Sequence, residues 1–289
     1  MGMQSWGMAG WGAACVFIAV LSLSEGGIAA AQSFDHSRWD TLVRAFVEEN
    51  GVRYAELRGA RTELDAYVSE IAGVGSDSFD SWSRDERIAY LINAYNALVV
   101  LQVVEAYPLR RRLLNFKALF RPANSVWQVP GFFDGIRHRV AGRDLTLDDI
   151  EHQWLRAELK EPRIHFALVC AAASCPPFRR EAYSADRLDA QLDDQAAQFF
   201  NDTSKNAFDM EAREVRLSSI LGWFGEDFVQ FAPATGFRAQ DAAQRGSLAF
   251  AARFLPAATA EWLRDGSYSV RHLEYDWTLN DAARPVARR

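Results

Sequence analysis

With 289 residues, 49% of them hydrophobic and 24% charged, the chain carries enough apolar material for a full core. Acidic residues outnumber basic ones by 38 to 32, so the formal charge is −6 and nothing in the composition supports a nucleic-acid role. The length allows one or two domains, and one large domain is the expectation.

Residues 1–31 differ from the rest. Residues 15–23 (CVFIAVLSL) form a short apolar run, and Ala29 and Ala31 give a small-residue cleavage pattern before Gln32. Together they predict a secretory signal peptide over 1–31 and hence a periplasmic or secreted mature chain. No Lys or Arg precedes Arg38, so the n-region has only its α-amino charge. An uncleaved N-terminal anchor is the alternative, but the run falls short of the roughly 18 apolar residues of a spanning helix. No membrane span is expected in the mature chain. Cleavage removes Cys15 and leaves Cys170 and Cys175, which in an oxidising compartment are first a disulfide candidate.

Residues 35–72 predict two helices around a break. Trp39, Leu42, Val43, Phe46 and Val47 recur at helical spacing, and Asn50-Gly51 stops the first helix. Leu64, Tyr67, Val68 and Ile71 mark the second. Ser83 and Glu86 make a capping box, so a helix starts at Arg84 and runs to Tyr107-Pro108. It is apolar all round and should be buried; Asn93, Asn96 and Gln102 interrupt it, against a membrane span. Asn93 and Asn96, three apart, lie on nearly one face. An unpaired buried amide costs on the order of 1–3 kcal/mol, so each needs a fixed partner, either in a structural tie or in a site.

Residues 109–135 read as a loop in which Arg110, Arg111, Arg112, Lys117 and Arg121 alternate with apolar side chains, a candidate wall for a ligand cleft. Strands are expected at 127–129 and 135–140, with a turn at 141–143. Thr146 and Asp149 cap a further helix whose apolar face is Leu147, Ile150, Trp154 and Leu155. At 100° per residue Glu151 falls inside that face, where a carboxylate needs a partner, and His152 lies at its edge.

Residues 163–170 (RIHFALVC) are apolar on both sides and predict a central strand. Ile164, Phe166, Leu168 and Cys170 would share one face, and His165, Ala167 and Val169 the other. Small residues then lead to Cys175 and a Pro pair. Ser184 is a suitable N-cap for a helix to about Asn201, with Leu188, Leu192, Ala196 and Phe199 as its buried stripe. A short strand is expected at 215–217, a helix at 248–254 and a strand at 268–277, and the polar, Arg-rich residues 282–289 are expected to fray.

Several of these segments resemble the domain-of-unknown-function family 547. The run from His165 through Cys170 to Ser174-Cys175-Pro176, the segment 90–98 (YLINAYNAL), the Leu-x-x-Asp-Ile-Glu-His segment at 147–152, Asn50-Gly51-Val52 with Tyr54, and the ending at 276–280 (DWTLN) are similar to that family, from about Trp39 to Asn280. The resemblance implies a mixed α and β domain, secreted bacterial members, and no settled activity. A more distant likeness to papain and transglutaminase-like proteins implies a nucleophile at the start of a central helix and a His on a strand. Here the central helix holds Asn93 and Asn96, with no Cys near its start.

The expected architecture is α+β: a helical N-terminal part packed on a mixed central sheet, in one domain over 32–281. A polar centre is expected from Asn93, Asn96, Glu151, His152, His165, Cys170 and Cys175. Three functions fit it. The first is a non-catalytic binding or scaffold domain for a small molecule or peptide, with a Cys170–Cys175 disulfide and a buried network of Asn93, Asn96, Glu151 and His165. The second is a thiol-dependent hydrolase or acyltransferase, with Cys175 as nucleophile, His165 or His152 as base and Glu151 or Asn96 as orienting group. The third is a metal-dependent hydrolase using His152, His165 and Glu151, although this spacing matches no standard metal motif. No cofactor is expected on the first two readings.

Overall fold

The computed structural model describes residues 33–111, 118–237, 241–265 and 267–283. The expected signal peptide, part of the basic loop and most of the Arg-rich tail lie outside these residues.

The longest element is the helix predicted from the capping box. After helix α1 (Ser37–Phe46), hairpin strands β1 (Val47–Glu48) and β2 (Gly51–Val52), and helices α2 (Tyr54–Gly59), α3 (Thr62–Gly73) and α4 (Ser76–Ser81), the chain enters α5 (Arg84–Ala106). Ser83 Oγ accepts from Glu86 N–H at 3.2 Å, and Ser83 N–H donates to Glu86 Oε2 at 2.8 Å. Every residue from Ile88 to Val104 is buried. The helix is long and apolar enough to cross a membrane, yet 94% of its most apolar window is covered by this fold, so it serves as the axis of a core. Fully burying one Leu, Ile or Val stabilises by about 1.5–3 kcal/mol, and such side chains recur all round the helix. The first four helices wrap it, with Trp39 of α1 stacked on Tyr67 of α3 at 5.7 Å.

The first break falls earlier than Asn50-Gly51 suggests. Helix α1 ends at Phe46, and Asn50-Gly51 belongs to the hairpin in which Val47 pairs with Val52. Gly51 is required there: its φ is +141°, and a Cβ would lie 2.0 Å from the carbonyl oxygen of Asn280.

A single 3₁₀ turn, Val126–Gln128, replaces the strand expected at 127–129. The hairpin of β3 (His138–Val140) and β4 (Arg143–Leu145) turns at Ala141-Gly142, both with positive φ. The reciprocal cap at Thr146 forms as predicted: Asp149 N–H donates to Thr146 Oγ1 at 3.1 Å, and Thr146 N–H donates to Asp149 Oδ2 at 3.0 Å. The helix that follows, Asp149–Glu158, is wound as a π-helix, and its last bond runs from Leu159 N–H to the carbonyl of Trp154.

Residues 163–170 are not a strand. A helical turn, α6 (Ile164–Ala167), leads into an extended piece outside the named strands. Ile164, Ala167 and Leu168 join the core around α5, whereas Phe166 joins a second core with Phe199, Phe200, Phe228 and Phe250. The run is apolar on all sides because it is wedged between two cores, a pattern that a central strand shares.

After a 3₁₀ turn at Ala185–Arg187 come α7 (Leu188–Asn201), β5 (Ala207–Asp209), β6 (Glu214–Leu217), α8 (Ser219–Trp223), α9 (Ala242–Ala251), α10 (Ala257–Asp265) and β7 (Ser269–His272). Strand β6 pairs antiparallel with β5 and parallel with β7. The class is α+β as expected, with small sheets. The tail beyond β7 leaves that sheet and fastens elsewhere: Ala173 N–H donates to the carbonyl of Thr278 at 2.7 Å, Asn280 N–H to that of Ala171 at 3.1 Å, and Val52 N–H to that of Asn280 at 2.9 Å. One short segment thus ties the N-terminal hairpin to the loop between the two cysteines.

Candidate functional site

The residues singled out from the sequence divide into two groups. Asn93 and Asn96 are structural ties. Asn93 donates to the carbonyl of Tyr183 at 2.8 Å and accepts from Tyr183 N–H at 3.0 Å. Asn96 does the same with the carbonyl of Ala167 (3.0 Å) and Val169 N–H (2.9 Å). Each amide satisfies a stretch of backbone that crosses α5 with no sheet partner, so neither is placed to orient a catalytic group. Tyr95, between them, points the other way, into a cleft of about 640 Å³.

Glu151, His152, His165 and Cys170 line that cleft. Both Glu151 and His152 reach it, although they are adjacent on one helix; π winding adds a residue to each turn, so the 100° spacing of an α-helix does not apply. Eight Phe, Trp and Tyr side chains line the wall. Trp277 stacks on Trp223 at 5.9 Å and meets Trp127 edge-on at 5.2 Å. The Arg121 guanidinium lies 5.2 Å from both the Trp127 and the Trp277 ring centres and is the part of the basic loop seen at the cleft.

Glu151 is the carboxylate in this apolar setting. Its side chain is 13% exposed and accepts from the Tyr95 hydroxyl at 3.2 Å. Burial pushes its pKa up to about 7, against the opposing pull of the Tyr95 hydrogen bond and the Arg156 charge. His152 is more open; burial lowers its pKa, and its Nδ1 accepts from Arg156 Nη1 at 3.3 Å. Asp148 is held above the usual carboxylate range, chiefly by burial.

His165 is committed to a partner that no motif or spacing reports. Its Nε2 lies 2.6 Å from Asp227 Oδ2, and its ring stacks on Phe224 at 4.2 Å. Arg156 grips the same carboxylate with two bonds of 2.6 and 2.9 Å. Burial keeps His165 below its ordinary pKa, so the neutral ring donates to Asp227 while Arg156 supplies the counter-charge. Asp227, despite some burial, is held well below the carboxylate range by these two donors.

Cys170 and Cys175 form a disulfide with Cα atoms 6.3 Å apart. Cys170 faces the cleft; Cys175 is 3% exposed and lies behind it. The thiol nucleophile expected at Cys175 is therefore not free in this state, and His165 bonds to Asp227 rather than to sulfur. Among the described residues no three His, Cys, Asp or Glu side chains converge as metal ligands, so His152, His165 and Glu151 do not form the expected donor set.

This is a helix-centred α+β domain with an aromatic cleft walled on one side by a disulfide. A family model described as "Protein of unknown function, DUF547" matches residues 79–200, a span from before α5 through both cysteines to the end of α7. Over that span the chain is similar to the DUF547 family. The match is shorter than the resemblance read over 39–280; Asp227 and Tyr275 fall beyond it. No curated protein and no solved structure matches the chain.

Proposed function

We propose that the chain is an exported binding domain whose cleft takes a small ligand with an aromatic or apolar body and one hydrogen-bonding end. One observation carries this reading: an aromatic cavity closes on a buried carboxylate, Glu151, with His152 beside it. Pockets of this make-up bind by apolar burial and orient the ligand with a few polar groups. Two further groups at the wall are already engaged, His165 with Asp227 and the Cys170 sulfur with that of Cys175. Export is supported by the apolar run at 15–23, the Ala29-x-Ala31 pattern and the disulfide. The thiol-hydrolase reading needs the disulfide opened, and the sulfur then facing the cleft is that of Cys170.

Titration with the neutral fluorophore N-phenyl-1-naphthylamine tests the cleft. Saturable one-to-one binding that weakens at least tenfold in Trp223→Ala is expected; the loss of aromatic contact is worth about 1.4 kcal/mol or more. Absent or non-saturable binding, or binding indifferent to Trp223→Ala, overturns the proposal.

A further inference from the structure

The two sulfurs of the disulfide sit in unlike surroundings. Cys170 lines the cleft, and Cys175 is not among its lining residues. Cys175 Sγ is buried and has three donors aimed at it: Cys170 N–H at 3.1 Å, Ala172 N–H at 3.3 Å and the Tyr275 hydroxyl at 3.2 Å. The left-handed conformation of Ala171, φ +60°, turns the loop so that amides on both sides of it reach the same atom. A neutral disulfide sulfur is a weak acceptor and has little use for three donors. A thiolate is a strong one. Burial alone disfavours a thiolate; donors converging on the atom offset that cost. The Tyr275 hydroxyl also lies 3.1 Å from Cys170 Sγ, so one donor touches both ends of the bond.

We propose that Cys170–Cys175 is a thiol–disulfide exchange site. The thiolate of an incoming thiol attacks Cys170 Sγ from the cleft and forms a new S–S bond there. The Cys170–Cys175 bond breaks, and its electron pair leaves on Cys175 Sγ, into the three donors. A second substrate thiolate then attacks the substrate sulfur of the mixed disulfide, releasing the substrate disulfide and leaving Cys170 as a thiolate. The two substrate thiols lose two electrons, the protein pair gains them, and protons shed by the substrate thiols are available to the two cysteines. The exchange rests on the sulfur geometry alone. The preferred substrate, a thiol with an aromatic body, rests on the cleft reading above.

The test uses the full oxidised chain, with benzyl mercaptan and glutathione as probes. Acid-quenched samples are mapped by mass spectrometry, and the free-thiol count is followed over time. Expected are native-state reduction at millimolar thiol and a probe adduct on Cys170. The reduced chain is expected to show thiolate absorbance at neutral pH. In Tyr275→Phe, exchange should be about tenfold slower, since a better-stabilised leaving thiolate departs faster. A native disulfide that resists both thiols while the denatured chain is reduced overturns the proposal, as does an adduct on Cys175 or a reduced wild-type chain with no thiolate signal. Equal rates for the two probes with the adduct on Cys170 would keep the exchange site and remove only the aromatic preference.

Discussion

The Tyr95 hydroxyl donates to Glu151 Oε2 at 3.2 Å, joining the central helix to the π-helix at the wall of the cleft. This bond favours the ionised acid, yet burial outweighs it and the carboxyl titrates at about 7. The unfolded chain therefore loses this proton before the folded chain does. Stability falls as pH rises from about 4.5 to about 7, by roughly 3 kcal/mol in total. Glu151→Gln keeps an acceptor for Tyr95 and removes the charge. Urea unfolding at pH 8 should show the variant more stable by about 2 kcal/mol, with little difference at pH 4. A variant equally affected at both pH values would contradict a buried, late-titrating acid.

The His165–Asp227–Arg156 cluster has the opposite pH dependence. His165 is neutral when folded and its pKa is lowered, so its contribution is present above the unfolded value of about 6.5 and is lost as pH falls below it. Asp227 is lowered too; its contribution is complete above about 3.9 and is lost in stronger acid. Asp227→Asn leaves Arg156 facing a neutral acceptor and should cost about 1–3 kcal/mol at pH 7. The cost should shrink on acidification below pH 4, where the unfolded wild-type chain takes up a proton at Asp227 that the folded chain still resists. Chemical denaturation from pH 3 to 8 measures both slopes, and a pH-independent difference would rule out Asp227 as the charged partner.

Asn96→Ala leaves the Ala167 carbonyl and the Val169 amide without their side-chain partner, as Asn93→Ala does for both groups of Tyr183. Each variant should lose about 2–6 kcal/mol in urea titration, since each of the two stranded groups costs roughly 1–3 kcal/mol. Neither should change the affinity of the fluorophore for the chain that remains folded, because neither amide lines the cleft. A loss of affinity without loss of stability would return these amides to the site.

Much of the fold was legible where a local pattern decides it. Helix α5 is announced by its capping box and ended by Tyr107-Pro108, and the buried carboxylate of Glu151 follows from its place on an apolar face. That Asn93 and Asn96 need fixed partners was equally legible, but their partners lie 71 to 90 residues away and leave no local trace. The segment 163–170 misled because an all-apolar run fits a central strand and a helical turn between two cores equally well; Ile164 and Phe166 bury on different sides. Asp227 is 62 residues from His165 and Tyr275 is 100 from Cys175, in stretches whose spacing only reports packing. Those two contacts define the electrostatics of the site, so its chemistry required three-dimensional proximity.

Gly51 controls the cleft from a distance. The tail that carries Tyr275 and Trp277 is pinned by Val52 N–H to the Asn280 carbonyl, by Ala282 N–H to the Val52 carbonyl, and by the Tyr54 hydroxyl to Asn280 Oδ1 at 2.8 Å. These bonds need the hairpin backbone to approach the tail closely, with φ +141° at Gly51. Gly51→Ala cannot adopt that φ without strain, and its Cβ would collide with the Asn280 carbonyl. The tail must then shift, which also loosens Asn280 N–H from Ala171 and disturbs the cysteine loop. The variant should be destabilised by about 3 kcal/mol. It should also bind the fluorophore more weakly and show faster amide hydrogen exchange over 274–282 than the wild type, although Gly51 is not among the residues lining the cleft. Destabilisation with an unchanged tail and unchanged binding would show that hairpin and cleft are independent.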